Sequence, residues 1–88
     1  MVKQMSRQTY QPDATELVRI DPIRNMARAY RLALWPDLFG GVTLAREWGR
    51  IGRAGCLRLD TYASEEAARA AMATLTAQKR RRGYREVA

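Results

Sequence analysis

Histidine is absent from the 88 residues, and cysteine occurs once, at Cys56. Without histidine the chain has neither the commonest general base nor the Ser-His and Cys-His nucleophile pairs, so catalysis would have to rest on carboxylates, lysine or tyrosine. The nine acidic residues are scattered, and the adjacent pair Glu65-Glu66 sits where a helix start explains it. Enzyme activity is therefore not expected. A lone Cys56 forms no internal disulfide, and without histidine no Cys/His zinc site can be assembled. Neither a metal nor another cofactor is expected. No run of about 18 apolar residues is present to span a bilayer, and Met1 to Ser6 lacks the apolar core of a secretory signal. The expectation is a soluble cytoplasmic protein that does not engage a membrane.

What the chain has in excess is positive charge. Sixteen Lys and Arg against nine Asp and Glu leave a net charge of +7. Such a surface attracts phosphate polyanions through counterion release and long-range steering. Fourteen of the sixteen basic residues are Arg, a bias that genomic base composition can also produce. The hydrophobic share of 47% is that of an ordered globular chain, and the length allows one modest core.

Residues 1–15 are polar, contain Pro12 and show no apolar period, and read as a flexible leader ahead of a domain over residues 16–88. Glu16-Leu17-Val18-Arg19-Ile20, stopped by Asp21-Pro22, reads as a first strand. Tyr30, Leu32 and Leu34 alternate with Arg31 and Ala33, the period of a half-buried strand. Pro36 through Gly41 is a turn cluster, after which Val42-Thr43-Leu44 resumes the extended pattern and completes a hairpin. A glycine-punctuated link from Gly49 to Gly55 leads to Leu57-Arg58-Leu59-Asp60-Thr61-Tyr62, which alternates again.

The period then changes to that of a helix. Ser64 is a candidate N-cap, Glu65 and Glu66 complement the positive helix end, and Ala68, Met72 and Leu75 form an apolar stripe. Lys79-Arg80-Arg81-Arg82 places positive charge on the last turn, and Gly83 is placed to close it. Tyr84 to Val87 can add a closing strand. The predicted fold class is α+β: an antiparallel meander of three to five strands with one amphipathic helix packed on one face.

The segment Trp48-Gly49-Arg50-Ile51-Gly52 is the most specific feature. Together with Asn25, Arg28 and Tyr30, the turn Asp37-Leu38-Phe39-Gly40, and the block from Lys79 to Tyr84, it resembles the WGR domain in order and spacing over about Glu16 to Val87. WGR domains occur in DNA-dependent poly(ADP-ribose) polymerases, in some bacterial regulators and as short stand-alone bacterial proteins. The resemblance implies a nucleic-acid role in which Trp48 packs against sugar at a strand end and Arg50 joins the contacts to DNA. Neither a transferase domain nor a zinc finger accompanies the motif here.

The residues also carry a reading of their own. If Val42 and Leu44 face the core, strand parity puts Arg46 and Trp48 on the same face, as an open shelf of indole and guanidinium suited to a nucleic-acid end. Trp48 equally fits a core anchor, with Arg50 a solvated turn residue. Arg50 and Arg53 lie in a glycine-rich loop whose spacing matches neither GxGxxG nor the P-loop, so a nucleotide cofactor is not implied. The helix dipole accounts for part of the Lys79, Arg80, Arg81 and Arg82 cluster, and four consecutive bases exceed that need. The candidate nucleic-acid-binding residues are therefore Trp48, Arg50, Arg46, Arg53, Lys79, Arg80, Arg81 and Arg82. DNA is the expected partner. The alternative is a protein-interaction domain docking an acidic partner from a DNA-processing system.

Overall fold

Alternating apolar residues become strands when each can bury one face, and four of the five strands form around such patterns. The computed structural model describes residues 13–87. Its strands are β1 (Asp13–Asp21), β2 (Met26–Pro36), β3 (Val42–Arg50), β4 (Cys56–Tyr62) and β5 (Arg85–Glu86), with one helix, α1 (Glu65–Arg81), between the last two. They form one antiparallel sheet in the order β4-β3-β2-β1-β5, an α+β arrangement with the helix on one side. Of the segment read as a leader, residues 1–12 lie outside the described residues. Asp13, Ala14 and Thr15 pair with Leu34, Ala33 and Leu32 at the start of β1.

Leu17, Leu32 and Leu44 are fully buried, with Tyr30, Leu34, Val42 and Ala68 completing the core. Burial of each leucine contributes about 1.5–3 kcal/mol. Ala68 is the buried helix residue, and its small side chain lets the helix approach the sheet. Ala71, Met72 and Leu75 pack around it. Ser64 accepts a hydrogen bond from the backbone N–H of Ala67 at 3.1 Å and so caps the helix N-terminus.

In β4 the alternation resolves toward a different face from that of an ordinary core strand. Pairing of Val42 with Tyr62 and Leu44 with Asp60 puts Cys56, Arg58, Asp60 and Tyr62 on the helix side. Leu57 and Leu59 consequently point to the uncovered side and are 63% and 61% exposed. The pattern identifies the strand, but the register to β3 chooses which set of side chains meets the helix. Among the described residues no helix is long and apolar enough to cross a membrane.

Candidate nucleic-acid interface

Three segments distant in sequence meet at one end of the sheet: the β1–β2 turn, the β3–β4 loop and the C-terminus of α1. The helix closes with a two-bond motif in which Gly83 N–H donates to Arg80 O and Tyr84 N–H donates to Lys79 O, each at 3.0 Å. Gly83 supports this with a φ of +95°. The chain reversal sets Tyr84 beside Lys79, whose Nζ lies 5.5 Å from the Tyr84 ring centroid and 4.5 Å from that of Tyr30.

The β3–β4 loop requires glycine for close backbone approach. A Cβ at position 55 would fall 2.2 Å from the Trp48 carbonyl oxygen, and one at position 49 would fall 2.9 Å from the Gly55 Cα. The two strands can therefore come together beside Trp48 only without side chains at these positions.

Strand register then lines up the functional side chains in rows. Leu17, Tyr30, Trp48 and Cys56 form one row on the helix face, and Arg19, Arg28 and Arg50 form the next. Trp48 is half-buried and stacked on Tyr30, with ring centroids 5.8 Å apart and planes 18° from parallel. Tyr84 meets Tyr30 edge-on at 6.5 Å. Arg19 lies along Gly83, where an added Cβ would stand 3.3 Å from its Nε. Burial, and after it the positive charges of Arg82, Arg28 and Arg46, hold the Lys79 ammonium below the usual lysine pKa.

Directly opposed like charges destabilise a sheet, and here three arginines stand in one cross-strand row beside a partly desolvated lysine. Among the described residues none of Arg19, Arg28, Arg50, Lys79 and Arg82 forms an ion pair with a carboxylate. Positive charge is thus concentrated at this end, and the aromatic cluster adjoins it.

The WGR domain family matches residues 14–88, the helix and all of the sheet but Asp13. The chain belongs to the WGR domain family. A WGR domain is in general a nucleic-acid-binding module in proteins of the poly(ADP-ribose) polymerase type, and by itself is not catalytic. Among curated proteins, an uncharacterized protein, y4dW, of Sinorhizobium fredii is 45% identical over 75 residues, which cover 85% of this chain. The match spans 37% of that relative's length. No solved structure matches.

Within this WGR domain the eight candidate residues separate into groups. Trp48, Arg46, Lys79 and Arg82 come together at the aromatic cluster, the arginines and lysine close enough for Arg46 and Arg82 to act on the charge of Lys79. Arg46 also pairs with Asp60 at 3.3 Å, while its Nε is buried without an acceptor among the described residues. Arg50 joins the arginine row, with its guanidinium donating to Asn25 O at 3.1 Å and Asn25 Oδ1 at 3.3 Å. Asn25 takes a left-handed φ of +53° that turns both oxygens toward it.

The remaining three lie elsewhere. Arg80 pairs with Glu86 of β5, Arg81 is exposed on the helix, and Arg53 sits in the β3–β4 loop beside a depression on the uncovered sheet face. Arg19 and Arg28 belong to the cationic end and were not singled out as ligand-contacting residues from sequence. The missing signal is register: positions 19, 28 and 50 align only when three strands are paired.

Proposed function

We propose that this WGR domain binds DNA by its backbone and strand ends, without catalysing a reaction on it. The observation that carries the reading is the cross-strand row Arg19, Arg28 and Arg50 set beside the Trp48–Tyr30 stack. Guanidinium groups provide bidentate phosphate contacts, and an indole next to them offers a plane to a sugar or base. The one helix among the described residues packs its apolar stripe on the sheet and brings its basic C-terminal turn to the same end. It presents no base-reading face, which favours recognition of backbone over sequence.

Trp35 lies on the opposite sheet face, so Trp35→Phe leaves Trp48 as the only indole reporter. Titration of this variant with short linear duplex should change its fluorescence more than an equal mass of closed circular DNA. The affinity should fall with salt at a log-log slope of about −3.6 if about four phosphates are engaged. A flat salt response, with no preference for ends, would leave an acidic protein as the better candidate partner for the same cations.

A further inference from the structure

Among the described residues the face of the sheet turned away from α1 carries no layer of its own, and its side chains are organised in a way that bears on what covers it. Register assigns to it one ionic row, Glu16–Arg31–Glu47, ending on Leu57, and one small-residue row, Ala14–Ala33–Ala45, ending on Leu59. Arg31 pairs with Glu16 at 3.4 Å and with Glu47 at 3.7 Å. Leu57 and Leu59 stand as a ridge on edge strand β4, next to a trough floored by Ala33 and Ala45. A ridge and a trough side by side on one surface are self-complementary under a twofold rotation.

Charge singles out the same face. The chain carries +7 overall, whereas on this face Glu16 and Glu47 offset Arg31 and Arg85, which shares the face with Val18, and Arg53 adds one positive charge at the rim. Two copies of so basic a protein repel each other through most of their surface, and this nearly balanced face carries little of that penalty. Its extent is also adequate. The four long strands cover roughly 600 Å² of sheet plane at about 3.3 Å per residue and about 4.8 Å between strands. A biological interface clears about 1,000 Å² of accessible surface in total, or about 500 Å² from each partner.

We propose that the uncovered face is a homodimer interface, in which the Leu57/Leu59 ridge of each copy fills the alanine trough of the other. The ionic rows then cross, so that Arg31 of one copy can meet Glu16 or Glu47 of its partner. The two cationic ends face outward on opposite sides of the dimer. Where each binds DNA, a consequence that rests on the function proposed above, the dimer can hold two DNA segments together.

Sedimentation velocity without DNA tests the interface independently of any ligand. The full chain should sediment at twice its 10.0 kDa mass at high micromolar concentration. The double variant Leu57→Thr/Leu59→Thr, which sets no like charge opposite Glu47, should remain at the monomer mass and folded, with a melting temperature that no longer rises with protein concentration. Its affinity for a single short duplex should stay within a factor of two of the unaltered protein, while it should lose capture of a labelled duplex onto an immobilised one. A full chain that is monomeric at all concentrations overturns the proposal, as does a dimer that the double variant leaves intact. A dimer that binds no DNA overturns the function proposed above and leaves the interface standing.

Discussion

Arg28 and Arg50 stand directly opposite each other on neighbouring strands, and Arg19 opposes Arg28 from the other side. A row of like charges lowers stability, so relieving it should have opposite effects on folding and on binding. Arg28→Thr should raise stability by about 0.5 kcal/mol, a few degrees in melting temperature, while weakening DNA binding and reducing the magnitude of the salt slope by about one. Thermal melts and titrations at several salt concentrations measure both. Loss of stability in this variant would show that Arg28 serves the fold.

Trp48 is at once part of the packing and part of the proposed surface, because it rests on Tyr30 and against the core. Truncating a fully buried Trp costs about 3–5 kcal/mol, so the half-buried Trp48→Ala should cost about 2 kcal/mol of stability. Binding should fall by a further factor at a temperature where the variant is folded. Trp48→Phe should keep most of the stability and lose part of the binding. Denaturant melts beside DNA titrations separate the two contributions.

Lys79 lies over the rings of Tyr30 and Tyr84, and its folded-state pKa is lowered chiefly by burial and then by the charges of Arg82, Arg28 and Arg46. The unfolded chain therefore holds its proton to higher pH than the folded one. Between the folded pKa and the ordinary value of 10.5, stability from this group rises with pH; at lower pH, where both states are protonated, the charge is a constant penalty. Lys79→Met should be less dependent on pH across that alkaline window than the unaltered protein. Melting temperatures of the two proteins, compared point by point, cancel the titration of the tyrosines.

The β3–β4 loop distinguishes steric from conformational demands on glycine. Gly52 has a φ of +85° and open space around its Cα, so Gly52→Ala should cost about 1–2 kcal/mol from backbone conformation alone. Gly55→Ala adds a Cβ against the Trp48 carbonyl and must displace the loop, so it should cost more and also alter Trp48 emission. Equal melts for the two variants would contradict the close approach.

Much of this WGR domain is written locally. The alternation through Tyr30, Leu32 and Leu34 specifies a strand and its buried face, and Ser64 with the stripe through Ala68, Met72 and Leu75 specifies the helix, because each pattern has one backbone period that buries it. The Trp48-Gly49-Arg50 segment and the Lys79–Tyr84 block carry the family in the sequence itself. Pairing decided the rest. Leu57 and Leu59 face outward because β3 fixes the register of β4, and a shift of one residue would exchange the faces. Arg80 is drawn to Glu86 while Lys79, its neighbour, turns to Tyr30, since adjacent helix positions point about 100° apart. Arg19 and Arg28 join Arg50 for the same kind of reason: residues as far as 31 positions apart fall into one row only when three antiparallel strands are laid side by side.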